Sequence, residues 1–109
     1  MSLTETFAAL GDQTRLAIVE RLAEGDATVK ELAEPFTVSL PAISRHLKVL
    51  EHAGLITRAR TAQSRPSSLR VEAFKEATMW MNARREMWEG RMDRLDHHLQ
   101  QIQEGLDDG

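Results

Sequence analysis

The chain has 109 residues, of which 41% are hydrophobic, 28% charged and 5% aromatic. Those proportions fit one ordinary soluble domain and speak against a multi-domain enzyme or a disordered chain. Cysteine is absent, which excludes a disulfide scaffold, a thiolate metal site and a cysteine nucleophile, and points to the cytoplasm.

The net charge of -3 hides a division along the chain. Residues 1–39 hold 3 basic and 7 acidic side chains, residues 40–70 hold 6 and 1, and residues 71–109 hold 5 and 9. A surface meant for a polyanion is therefore expected in the middle block, because Lys and Arg act on phosphates through their local field. The N-terminus lacks a basic, then apolar, leader pattern, and no window approaches the ~18 apolar residues of a membrane span, so neither export nor membrane insertion is expected.

Ser2-Leu3-Thr4-Glu5 reads as a capping box ahead of Leu3, Phe7 and Leu10 at helical spacing, which predicts a short first helix. Asp12 is the next cap, followed by Leu16, Val19 and Leu22 with Ile18 beside them, and Gly25 is the stop. Thr28-Val29-Lys30-Glu31 is a second capping box, opening a short helix with Val29, Leu32 and Ala33 that must end near Pro35. Ser39 then caps a helix over Leu40 to Ala53, with Pro41 in its first turn, Ile43, Leu47 and Leu50 on one side and Gly54 at its end. Helix, tight turn and helix in so few residues form a helix-turn-helix pattern.

Leu55 to Arg60 reads as a strand, Thr61 to Ser67 as a turn, and Ser68-Leu69-Arg70-Val71 as the antiparallel return. From about Glu72 to Leu106 there is no proline, and the glycines are Gly90 and, next to the end, Gly105. Helix is the only period that fits, and its length of ~50 Å exceeds what so small a domain can cover. The last three residues, Asp107-Asp108-Gly109, are expected to fray.

With 3.6 residues per turn, Pro41, Arg45, Lys48 and His52 share a stripe opposite the apolar side of their helix, and Ser44 borders it. A major groove about 12 Å wide accepts one such helix, with residues near its start aimed at base edges. Ser39, Pro41, Ala42, Ser44 and Arg45 are the base-edge candidates, and Lys48 is placed on phosphate. Alone, the stripe reads equally well as a solvated face. The hairpin after it supplies Arg58, Arg60, Arg65 and Arg70, with Gln63 near the tip, which suits a wing touching backbone or minor groove. The two features together in one basic block favour duplex DNA as the partner.

In the last segment Met81, Trp88, Met92, Leu95, Leu99, Ile102 and Leu106 make a coiled-coil-like seam, interrupted where Arg85 stands. Burying seven such side chains at ~1.5–3 kcal/mol each gains on the order of 10 kcal/mol before ordering costs, which favours a partner over exposure. Leu3, Phe7 and Leu10 are expected to cover part of this seam, and a second copy the rest. Phe74, Met79 and Trp80 are expected to pack on the body.

Three stretches resemble the small winged-helix repressors of the ArsR type. They are Ala9-Leu10-Gly11-Asp12-Gln13-Thr14-Arg15-Leu16-Ala17-Ile18-Val19, then Val29-Lys30-Glu31-Leu32-Ala33, and Ser39-Leu40-Pro41-Ala42-Ile43-Ser44-Arg45-His46-Leu47-Lys48-Val49-Leu50-Glu51 with Ala53-Gly54-Leu55-Ile56 behind it. The resemblance implies a mainly α winged helix-turn-helix with a small β-hairpin wing and a long C-terminal dimerisation helix. It implies one domain over 1–109, with dimerisation helices at 1–11 and 72–106, the helix-turn-helix at 28–53 and the wing at 55–71. In function it implies a homodimeric repressor on a palindromic operator, and His46 joins the DNA-binding candidates as a residue recurrent in the family's recognition helix.

Departures from the family pattern narrow the sensing chemistry. Metal sensors of the family commonly place cysteines in the helix before the recognition helix, where this chain reads Glu31-Leu32-Ala33-Glu34-Pro35. Asp96-His97-His98 imitates half of another metal pattern without the second half, and Asp93 with His97 reads as a charge-assisted pair, so no metal or cofactor is expected. Gln13 stands where many relatives carry proline. Leu40 stands where a polar residue is frequent, and either meets a thymine methyl or joins the core. No Ser, His and carboxylate group forms a catalytic constellation, since Ser44 and His46, two apart on a helix, diverge. Two alternatives remain: a metal- or small-molecule-responsive sensor on the same frame, its effector unknown, and a helix-mediated protein-interaction module.

Overall fold

The computed structural model describes residues 2–59 and 65–107. In chain order they form α1 (Leu3–Leu10), α2 (Gln13–Leu22), α3 (Val29–Ala33), α4 (Leu40–His52), β1 (Ile56–Arg58), β2 (Ser67–Leu69) and α5 (Val71–Asp107). Each early helix begins at a side-chain cap. The Ser2 hydroxyl accepts from the Glu5 N–H, the Asp12 carboxylate from the Arg15 N–H and the Ser39 hydroxyl from the Ala42 N–H. At α3 both halves of the capping box close: Glu31 N–H donates to Thr28 Oγ1 at 3.2 Å, and Thr28 N–H to Glu31 Oε1 at 3.1 Å. These bonds occupy N–H groups that a helix start otherwise leaves without partners.

The end of α4 is equally defined. Gly54 adopts a left-handed φ of 81°, its N–H donates to Glu51 O, and the Leu55 N–H donates to Leu50 O. That pair of bonds turns the chain sharply into β1 and favours glycine at the left-handed position. The hairpin pairs Ile56 with Leu69, Thr57 with Ser68 and Arg58 with Ser67, so both strands are shorter than the sequence predicts. Ser67 has a second partner: its backbone exchanges hydrogen bonds with Ala27 at 2.8 and 3.2 Å. The segment before α3 is thereby laced to the wing, a pairing that no sequence pattern predicts.

The chain divides into two compact units, one reaching to Ala77 and one from Thr78 onward, joined through the continuous α5. In the first unit, Ile18, Leu32, Ile43, Leu47, Leu50, Leu55 and Ile56 are fully buried. Leu10, Val29, Phe36, Leu69 and Phe74 pack around this core as partly buried neighbours. Two expectations need correction. On α2 the buried face is Ile18, Val19 and Leu22, while Leu16 is exposed, because a step of two residues turns a helix by about 200° and sets Leu16 opposite Ile18. On α5 Phe74 packs on the core as expected, but Met79 is 72% exposed.

The second unit is the remainder of α5, in which no described residue is buried. Met81, Trp88, Met92, Leu95, Leu99, Ile102 and Leu106 are all exposed. Trp80 carries the Arg84 guanidinium over its ring at 5.0 Å, a cation–π contact. Among the described residues, no helix is long and apolar enough to cross a membrane.

Candidate nucleic-acid interface

The orientation of α4 follows from its buried side. Ile43, Leu47 and Leu50 are fully covered, so residues on the opposite side must face out. Ser39, Pro41, Arg45, Lys48 and His52 are exposed, and Ala42 and Ser44 are half-buried on the flanks. The basic, hydroxyl-bearing stripe expected from the sequence thus exists as a surface. Leu40 is 44% exposed at the start of α4 and does not join the core.

Beside the start of α4 lies a concavity of about 510 Å³, lined by Thr28, Val29, Lys30, Leu40, Ser44, Arg58 and Arg65. Three elements converge there: the first turn of α3, the first turns of α4 and the arms of the hairpin. Lys30 and Thr28 are the residues that sequence reasoning misses. It uses them only as parts of a helix start, although a lysine in the first turn of the first helix of a helix-turn-helix is the available signal. Arg58 is half-buried, and its Nε is buried without a hydrogen-bond partner among the described residues. Arg65 is exposed and takes a left-handed φ of 42° next to Pro66. Arg70 is exposed behind β2. Arg60 and Gln63, also expected at the wing, lie outside the described residues.

His46 departs from the expected DNA-facing set. Its Nδ1 lies 3.4 Å from Arg15 Nη1 and 3.8 Å from Asp12 Oδ2, and only 23% of its side chain is exposed. The reason is helical geometry. His46 is three residues from Ile43 and four from Leu50, so it belongs to the inward side of α4. Arg15 also donates from Nε to Ala9 O at 2.7 Å and from Nη2 to Ala8 O at 3.5 Å. The hydrogen bond from the Arg15 N–H, aided by the nearby charge of Arg15, holds the Asp12 carboxyl below its usual range. The Thr28 backbone N–H, and then its side chain and the charge of Arg21, do the same for Glu31.

Of the helical side chains expected to pair two copies, Leu3 and Leu10 are half-buried and Phe7 is 37% exposed. The buried positions of α1 are Thr6 and Ala9. The acid and histidine positions on α5 bring no metal set together: among the described residues no cluster of three His, Asp or Glu side chains is placed to hold an ion. His97 Nε2 lies 3.2 Å from the Gln101 amide nitrogen.

Residues 12–58 match the family model described as bacterial regulatory protein, arsR family. Over 79 residues the chain is 35% identical to the transcriptional repressor SdpR of Bacillus subtilis (strain 168), a match covering 72% of this chain and 88% of SdpR. It is 60% identical over 48 residues to the HTH-type transcriptional regulator Rv2034 of Mycobacterium tuberculosis (strain ATCC 25618 / H37Rv), covering 44% of this chain and 45% of that protein. The crystal structure of an ArsR family transcriptional regulator, RHA00566, superposes with a TM-score of 0.74 at 38% identity, covering 80% of this chain and 96% of the other.

Proposed function

Because this chain belongs to the ArsR family of bacterial transcriptional regulators, we propose that it is a cytoplasmic homodimeric repressor that occupies a roughly palindromic operator. Two copies lay their α4 helices in successive major grooves, ~34–36 Å apart. Ser39, Pro41, Ala42, Ser44 and Arg45 meet base edges, and Lys48 meets phosphate. Arg58 and Arg65, with Arg60 and Gln63 of the same hairpin, reach the adjacent backbone or minor groove. Lys30 joins them from α3. Leu3, Phe7 and Leu10 with the α5 seam form the surface between the copies. Repression follows from occupancy, which excludes polymerase, and the chain acts by binding rather than catalysis.

One observation carries this reading: Pro41, Arg45, Lys48 and His52 are exposed together on the side of α4 opposite three fully buried aliphatic residues. Two structural uses of one helix are thereby separated by its own period, with the outward side available to a groove. Selection of bound genomic fragments by the purified protein, followed by titration of the best fragment, is the test. With about three phosphate contacts per subunit, log affinity should fall against log salt with a slope near -5. Equal affinity for selected and random duplexes at every salt concentration would refute the proposal.

A further inference from the structure

The first unit holds one polar junction that binds α1, α2 and α4 together. Arg15, in the first turn of α2, spends its side chain on other helices: Nε and Nη2 donate to Ala9 O and Ala8 O at the end of α1, and Nη1 faces His46 Nδ1 on α4. The last turn of α1 contains no basic residue of its own, so a neighbouring helix supplies the cation that its terminal carbonyls favour. Arginine has only donors, so the contact at 3.4 Å makes His46 Nδ1 an acceptor and places the ring proton on Nε2. Asp12 completes the set: it accepts the Arg15 N–H at 3.0 Å and lies 3.8 Å from the same His46 nitrogen.

Apolar packing alone does not close the space between α1 and α4. A groove of about 210 Å³ runs there, with Ala8 and Ala9 on one wall, Val49 and Ala53 on the other, and Arg15 in its lining. A helix held by interdigitated side chains has its rotation set by packing. Across a groove, directional bonds must do it, and a planar guanidinium with donors in a fixed fork is suited to that.

We propose that Arg15 and His46 are positioning residues for operator reading: together they hold the rotation of α4 relative to α1, and so the aim of Arg45, without touching DNA. The inference rests on the proposed function for its DNA readout, and deepens it by removing His46 from the contact set. It also means that α1, a helix assigned to pairing, and α4, the helix assigned to reading, share one set of bonds.

The test compares wild type with His46→Leu, His46→Asn, Arg15→Met and the double variant Arg15→Met/His46→Leu. Asparagine puts an acceptor near the place of Nδ1, whereas leucine removes it. His46→Leu and Arg15→Met should each weaken operator binding by roughly three- to thirtyfold, and the double variant should be no worse than the weaker single, as residues sharing one network are non-additive. His46→Asn should recover most of the affinity, and the salt slope should stay constant throughout. Additive losses, no loss in His46→Leu, or a slope smaller by about one in that variant, as removal of a phosphate-binding group gives, would overturn the proposal. Should Arg15→Met fail to fold, the leucine and asparagine variants at 46 decide by themselves.

Amide spectra of the unbound protein provide a second readout. His46→Leu should shift the Ala9 and Gly11 amides at the end of α1, and His46→Asn should leave them in place; unmoved α1 amides in both would also defeat the junction. A wild-type chain with no operator preference sinks the proposed function, whereas the spectra still judge the junction.

Discussion

Up to Ala77 the chain has a core in which Ile18, Ile43, Leu47, Leu50 and Leu55 are completely covered. From Thr78 onward Trp88, Met92, Leu95, Leu99 and Ile102 stand between 44% and 61% exposed along one helix. Both regions follow the same helical periodicity, yet among the described residues only the first buries its apolar face. In the proposed dimer that face is covered by a second helix instead. On that proposal the contrast separates two sources of stability, one intrinsic to the fold and one dependent on concentration.

The sharpest way to break the contrast is to charge the seam. Leu95→Glu with Leu99→Glu removes ~1.5–3 kcal/mol of burial for each leucine in each copy, before any cost of burying carboxylates. Removing four leucines per dimer raises the dissociation constant by at least about four orders of magnitude. Sedimentation should report a monomer at micromolar concentration, with operator affinity collapsing in parallel. A sedimentation profile unchanged from wild type would mean that α5 does not pair the copies.

The next largest effect falls on the body. Leu47→Ala in a fully buried site should cost ~2–5 kcal/mol through lost transfer energy and the cavity left behind. Urea unfolding should show this cost at every protein concentration, because the packing removed lies inside one copy. Leu99→Ala should instead lower the midpoint more in dilute than in concentrated samples. If the two variants respond alike to dilution, the division into an autonomous body and a concentration-dependent rod is wrong.

Within the body a finer contrast separates two charges on one stripe. Arg45, in the second turn of α4, is the proposed base reader, so Arg45→Ala should cost ~1–3 kcal/mol on the operator and far less on random duplex. Lys48 lies farther along, so Lys48→Ala should weaken binding evenly on both, and the salt slope should shrink by about one for each phosphate no longer neutralised. Competition titrations on both duplexes distinguish the two patterns. Equal losses for Arg45→Ala on both would make it a backbone contact.

The parts of the fold legible in the sequence are those set by local chemistry. Ser39, Pro41 and Gly54 delimit α4 because a cap, a first-turn proline and a left-handed stop each act within a few residues. The Thr28 and Glu31 box is local in the same sense. The bridge from Ala27 to Ser67 is not: it is one pair, forty residues apart along the chain, with no periodicity to announce it. Leu16 is misplaced because successive three-residue steps drift around the helix, and its offset of two residues from Ile18 is what turns it outward. His46 is decipherable from its spacing to Ile43 and Leu50, but the resemblance of the whole helix to a DNA reader draws it outward. At the interface itself the exposed stripe is legible, whereas the concavity around Lys30 and Arg58 needs three separated elements in space.

The smallest expected effect concerns acid, and it distinguishes the body from the rod by a different route. Asp12 and Glu31 cap α2 and α3, and both carboxyls are held below their ordinary range, chiefly by the Arg15 and Thr28 backbone N–H bonds respectively. A carboxyl whose folded pKa lies below its unfolded one contributes stability fully present above the unfolded value and lost as pH falls through the folded one. Stability of the body should therefore decline on acidification below roughly pH 4–5, where unfolded carboxylates take up protons. Asp12→Asn and Glu31→Gln each keep a side-chain oxygen that accepts a hydrogen bond but cannot titrate, so each should lower stability at neutral pH and flatten its decline in acid. Urea midpoints measured across that range should converge between variants and wild type at the acid end. Parallel curves at all pH values would show that neither cap titrates with folding.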